Sequence, residues 1–136
     1  MGKKEDCIFC KIIKGEVPSY KIYEDEKVYA FLDIAGDVYG HTLVVPKNHY
    51  ENIFDIPEVE LCDVMNAVKK ISDHFLTVGY TGVNLMNASG VDAQQSVFHL
   101  HFHILPRSKN DGLDTWPKFS KNNFDFEAVA KLLKIN

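Results

Sequence analysis

The sequence predicts an α+β domain: an antiparallel sheet of about five strands with a short N-terminal helix, a long central helix and a C-terminal helix. Three observations carry that expectation. Short β-branched or alternating segments follow one another in hairpin order at 21–24, 28–34, 40–46, 81–87 and 95–105. Between 57 and 78, apolar residues recur at Leu61, Val64, Val68, Ile71 and Phe75. These alternating steps of three and four mark an amphipathic helix. The helices stand before, within and after the run of strands, an order that does not build a doubly wound parallel sheet.

At 136 residues and 15.5 kDa, the chain is expected to form one domain over 1–136, flexible only at 1–6 and in its last residues. Such a length buries roughly two-thirds of the unfolded surface without disulfide staples. A formal net charge of −4 and a pI near 5.8 argue against a partner of duplex nucleic acid, which needs a broad cationic face. A small anionic ligand needs only local donors and stays open. No apolar run approaches the roughly 18 residues of a membrane span, so no membrane partner is expected. Residues 1–6 are too polar and too few for a signal peptide. Three cysteines, an odd number, suit a reducing compartment, and a cytoplasmic location is expected.

Taken in order, 7–14 reads as a short helix closed by Gly15, with Asp6 as its N-cap. Strands 21–24 and 28–34 form a hairpin around Asp25-Glu26-Lys27, and Asp33 interrupts the second as either a turn former or a functional carboxylate. Gly40 opens a β-branched strand bracketed by His41 and His49. For the central helix, Asp55 and Glu58 suggest a capping box, and Pro57 suits the first turn. Met65, Ser72 and Cys62 widen the apolar stripe, with Cys62 expected as a buried thiol. His74 falls on the polar side. The stripe reads first as a core face and second as a dimer surface. A polar loop from Ala88 to Gln94 leads to the last strand, with Asn87 and Ser96 bracketing it. Beyond Pro106-Arg107 a turn-rich segment precedes a helix from about Phe124 to Leu133.

The chemistry concentrates in Gln95-Ser96-Val97-Phe98-His99-Leu100-His101-Phe102-His103-Ile104-Leu105. Two-residue alternation puts three imidazoles on one face, while Leu100, Phe102 and Ile104 anchor the other in a core. An ordinary structural strand has no reason to bear the desolvation of three histidines. Three uses compete: an all-histidine metal site, a base for a serine or cysteine nucleophile, and a histidine nucleophile. No Gly-x-Ser-x-Gly elbow occurs, which weakens the second. The first leaves Cys7, Cys10, His41 and His49 unused.

These residues resemble the histidine-triad (HIT) family, in its bacterial Hit and Hint-like branch. His99 to Leu105 match its His-x-His-x-His signature, and the segments from Cys7 to Pro18, 31–34, 40–47 and 95–97 follow in family order. The resemblance implies a HIT-like fold, a homodimer, and hydrolysis of purine nucleoside phosphoramidates or other nucleoside 5′-phosphate derivatives. It makes His101 the nucleophile that carries a nucleotidyl group, with His103, His41 and Ser96 assisting on phosphate and leaving group. Asp33 would hold the ribose, with Ile34, Phe31 and Val17 around the base and Asn87 and Gln95 as further substrate contacts. Cys7, Cys10, His49 and His99 would hold a structural zinc, with no metal required in the chemical step. A redox Cys-x-x-Cys pair is the rival, but such a motif ordinarily follows a strand. Gln94 departs from the family, where glycine is frequent. A diadenosine polyphosphate hydrolase of the Fhit type, and a non-catalytic zinc-stabilised nucleotide-binding module, are the alternative functions.

Overall fold

The computed structural model describes residues 6–136, so most of the tail expected to be flexible at 1–6 lies outside the described residues. Five strands, β1 (Lys21–Glu24), β2 (Val28–Leu32), β3 (Thr42–Pro46), β4 (Gly82–Met86) and β5 (Phe102–Arg107), form one antiparallel sheet in the order β1-β2-β3-β5-β4. Helix α1 (Ile8–Ile13) and helix α2 (Glu58–Thr77) are separated in sequence by the β1–β3 meander, and α3 (Phe126–Leu133) ends the chain. The expected architecture is the one observed.

Alternation in the sheet builds two cores. Val28, Ala30, Val44, Leu100 and Ile104 pack with Val64, Ala67, Val68, Ile71 and Phe75 of α2. Tyr29, Phe31, Leu43 and Val45 point the other way and pack with Cys7, Phe9, Cys10 and Ile12 around α1. Each large apolar side chain buried in this way contributes about 1.5–3 kcal/mol. His103 pairs with Leu43 across the sheet, and the pleat therefore puts it on the α1 side.

Several local expectations need correction. Cys7, not Asp6, caps α1: its Sγ accepts from the Cys10 amide at 3.4 Å. At the other end Gly15, at φ +79°, gives its N–H to Ile12 O while Glu16 N–H reaches Lys11 O, a Schellman closure that glycine adopts without strain. β2 stops at Leu32 rather than 34, because the Asp33 carboxylate accepts from Ala35 N–H at 2.8 Å and turns the chain. No capping box forms on α2. The Asp55 carboxylate instead takes the amides of Glu51 and Asn52, both at 3.0 Å. Cys62 is exposed, since two residues from Val64 is roughly 200° around a helix. α3 begins at Phe126 because Asp125 caps it, its carboxylate accepting from Ala128 N–H.

The largest departure concerns the histidine stretch. Strand β5 begins at Phe102, and residues 95–101 are irregular. The side chains of Gln95 explain it. Its Nε2 donates to Glu51 O at 2.6 Å and Val97 O at 3.0 Å, while its Oε1 accepts from Gly90 N–H at 2.8 Å and Asn52 Nδ2 at 3.3 Å. These bonds hold the backbone in a loop. Gln94 sits in the left-handed region at φ 69°, ψ 29°, a conformation that favours glycine, which accounts physically for the residue the family commonly has there.

Candidate active site and metal centre

The histidine face divides into two clusters. His99, fully buried, joins Cys7, Cys10 and His49, whose ligand atoms all lie within 4.8 Å of one another. Cys7 Sγ is 3.4 Å from His99 Nδ1, Cys10 Sγ is 3.4 Å from His49 Nδ1 and 3.5 Å from His99 Nδ1, and the two Nδ1 atoms are 3.2 Å apart. A tetrahedral zinc with ordinary bond lengths puts N···N edges near ~3.3 Å and S···N edges near ~3.6 Å. The donor set fits. His99 Nε2–H donates to Pro46 O at 2.8 Å, which fixes the tautomer and leaves Nδ1 bare toward the thiols. Burial, reinforced by neighbouring imidazoles, pushes the His99 pKa down to about 4.

His101 and His103 form the second cluster with His41. His101 Nδ1–H donates to His99 O at 2.7 Å, so Nε2 carries the lone pair. The carbonyl that holds the His101 ring thus belongs to the residue that faces the cysteines. Phe9, between those cysteines, sets its ring edge on His101 at a centroid distance of 5.1 Å and on His99 at 5.9 Å. Burial lowers the His101 pKa, which keeps the ring neutral at neutral pH. His103 Nδ1 lies 2.8 Å from His41 Nε2. Burial first, then the neighbouring His101 and His41, push His103 down to about 4.

Beside this cluster lies a mainly apolar cavity of ≈ 310 Å³. Its lining includes Val17, Phe31, Asp33 and Ile34, the four residues expected around a nucleoside, together with Ile8, Phe9 and Leu43. Asp33 Oδ2 is 3.8 Å from His41 Nε2. Ser96 is exposed in the loop and lines a small pocket with Cys7 and Ile8. Asn87 Nδ2 donates to His101 O at 2.9 Å, so it holds the backbone of the His101 residue. Gln95 is engaged within its loop as described.

Sequence reasoning missed two residues. Phe9 was legible only as the apolar filler of Cys7-x-x-Cys10, and nothing local signals its contact with a residue 92 positions away. Asp37, whose Oδ1 accepts from His41 Nδ1–H at 3.0 Å, had a faint signal in its spacing of four from His41 within a loop bounded by Gly36 and Gly40.

The chain thus presents, on a five-stranded antiparallel sheet, paired imidazoles next to an apolar cavity that carries one carboxylate, Asp33. The match to the HIT domain runs over residues 14–110, and the chain belongs to the HIT family. It is 48% identical over 129 residues to an uncharacterised HIT-like protein of Methanocaldococcus jannaschii, covering 94% of this chain and 98% of that one. It is 39% identical over 139 residues to the adenosine 5′-monophosphoramidase of Candida albicans, covering 97% and 90%. Among solved structures, a HIT family member from Bacillus subtilis superposes with a TM-score of 0.82 at 41% identity, over 94% of each chain. A zinc-bound histidine triad family protein from Mycobacterium smegmatis gives 0.78 at 32% identity, covering 96% and 92%. Among the described residues, no helix is long and apolar enough to cross a membrane.

Proposed function

We propose that this chain hydrolyses nucleoside 5′-phosphate derivatives, with purine nucleoside phosphoramidates such as adenosine 5′-monophosphoramidate as the preferred class, through a nucleotidyl intermediate on His101. One observation carries the reading: a buried, neutral imidazole whose Nδ1–H is tied to His99 O, standing by a cavity lined by Asp33 and apolar side chains. Nε2 attacks phosphorus and the P–N bond breaks as the departing nitrogen takes up a proton from solvent and leaves as the neutral amine; water then adds to phosphorus, gives up a proton and releases His101 by cleaving the P–Nε2 bond. His41 and His103 meet the charge on the phosphate oxygens, and Ser96 serves the leaving group. Asp33 accepts from the ribose hydroxyls, and Val17, Phe31 and Ile34 hold the base. Asn87 and Gln95 serve the substrate by holding the His101 backbone and the 90–97 loop.

Cys7, Cys10, His49 and His99 would hold zinc as a structural ion that ties α1 to the histidine stretch, with no metal in the chemical step. The relatives named for adenosine 5′-monophosphoramidate cleavage and for bound zinc support both parts. A turnover comparison of adenosine phosphoramidate with diadenosine polyphosphates tests the substrate class. Faster phosphoramidate cleavage is expected. A preference for the polyphosphate would move the reading to the Fhit type, and nucleotide binding without turnover of either would leave a non-catalytic module.

We also propose a homodimer. β4 is a sheet edge with Leu85 and Met86 exposed, α3 buries none of its residues, and Phe126, Leu132 and Leu133 lie open. Unpaired edges and apolar surface of this kind are ordinarily covered, and twofold closure is the commonest cover. Sedimentation at micromolar concentration is expected to give twice the chain mass. A monomer alone would count against it.

A further inference from the structure

Asp37 lies in the loop that joins β2 to β3, between Gly36 at φ +74° and Gly40 at φ +83°. Its Oδ1 accepts from His41 Nδ1–H at 3.0 Å and from Val38 N–H at 2.7 Å. The other His41 nitrogen, Nε2, is 2.8 Å from His103 Nδ1 and 3.8 Å from Asp33 Oδ2. His103 in turn stacks edge to face with His101 at a centroid distance of 4.9 Å. Carboxylate, imidazole and imidazole therefore form a continuous two-bond chain that ends at His103 Nε2, next to the nucleophile. The Asp37 side chain is half exposed and His41 is buried, so the chain runs from solvent into the cleft.

We propose that Asp37 is a positioning residue for the water-consuming half of the reaction, fixing the His41 tautomer through which His103 passes on the proton of the attacking water. This rests on the reading of His101 as the residue that carries the nucleotidyl group. The water oxygen bonds to phosphorus as one of its protons moves to His103 Nε2. The Nδ1 proton of His103 moves to His41 Nε2 in the same step. The P–Nε2 bond to His101 breaks and its electron pair returns to the ring, giving the nucleoside monophosphate and a neutral His101. Charge thus comes to rest on His41, where Asp37 faces Nδ1 and Asp33 lies near Nε2, and the extra proton leaves to solvent afterwards.

Two further observations favour a relay over a lone base. His103 is a poor place to leave a proton, since burial and adjoining imidazoles hold its pKa near about 4. The Asp37 carboxyl titrates below its ordinary value, chiefly through its bond to His41, so it is ionised wherever the reaction would run. An orienting carboxylate of this kind acts through the imidazole it holds and touches no reacting atom.

Asp37→Asn separates positioning by charge from a simple loop cap, because Asn still offers an oxygen to Val38 N–H and His41 Nδ1–H. Transient kinetics on the zinc-loaded full chain, with adenosine phosphoramidate, would resolve amine release from nucleotide release. In Asp37→Asn, amine release is expected to keep its rate while breakdown of the intermediate slows about tenfold or more, so that nucleotidyl-His101 accumulates. Asp37→Glu should recover part of the rate. Wild-type breakdown in Asp37→Asn would overturn the proposal. Nitrogen-15 spectra of the histidines in the free wild-type protein give an independent reading: Nδ1 of His41 protonated and Nε2 bare is expected, and a protonated Nε2 would overturn the relay. If His101 never carries label, the functional reading fails instead, while the tautomer spectrum still judges Asp37.

Discussion

Replacing His101 by Ala is expected to lower turnover of a nucleoside 5′-phosphoramidate by at least about 10³-fold while nucleotide binding persists. A covalent route divides one difficult displacement into two easier ones, and no other group can take over the bond to phosphorus once the ring is gone. The environment prepares that ring. His99 O accepts its Nδ1–H at 2.7 Å, Asn87 holds its own carbonyl, and Phe9 buttresses one side, so Nε2 is aimed without reorganisation. Binding survives because the apolar lining and Asp33 belong to other elements. Ser96→Ala should cost less, with a penalty that grows as the leaving group becomes more basic. Only the neutral ring attacks, and burial lowers its pKa below the ordinary imidazole value of 6.5. Turnover limited by His101 should therefore hold across neutral pH and fall only when acid passes through that lowered value. Rapid quench with labelled substrate should trap acid-labile label on His101. Turnover of His101→Ala near the wild-type level would rule the mechanism out.

Cys7→Ser is expected to destabilise the fold by about 3 kcal/mol or more, which for a domain of this size lowers the melting temperature by roughly 10 °C. Cys7 has two structural jobs. Its sulfur is one of four converging donors, and the same atom caps α1 at the Cys10 amide. Serine can still cap a helix, so the loss measures mainly the metal centre. Without the ion, two thiols and two bare Nδ1 atoms would remain crowded within 4.8 Å. Metal analysis of wild-type protein purified without chelator should find zinc near one equivalent per chain, and finding none would sink the idea. Acid should act in the same direction. Burial holds His99 and His103 at about 4 in the folded chain, against 6.5 for an ordinary imidazole. As pH falls across that window the unfolded chain binds protons first, so stability is full above about 6.5 and is lost toward about 4. Thiolate and imidazole protonation releases the ion over acid pH as well.

What the chain discloses before folding is the information carried by period and local spacing. The step pattern of Leu61, Val64, Val68, Ile71 and Phe75 located α2 to within a residue or so, and four of those five residues are buried. Alternation in Phe102, His103, Ile104 correctly assigned sheet faces, since a pleat leaves each side chain only two choices. Gly15 closed α1 where expected, because a left-handed closing residue is a local demand. Termini were less legible. Asp55 takes the amides of Glu51 and Asn52 and Asp33 takes that of Ala35, because which amide a short carboxylate reaches depends on turns that packing settles.

Function was legible as residue types and only partly as geometry. Cys7-x-x-Cys10 and the three alternating histidines named the chemistry, and the resemblance that they carry proved to be membership of the family. A strict strand from 95 to 105 would have kept His99, His101 and His103 equivalent. The structure separates them because Gln95 spends its amide on loop carbonyls and His99 turns to Pro46 O and the cysteines. Placing β3 directly beside β5 then brings His41 to His103, residues 62 apart, and folding α1 over that face brings Cys7 to His99, 92 apart. Local sequence sets which face a side chain takes. Which side chains meet there is decided by strand order and helix placement, because the burial that favours those arrangements is summed over the two cores rather than encoded at any one residue.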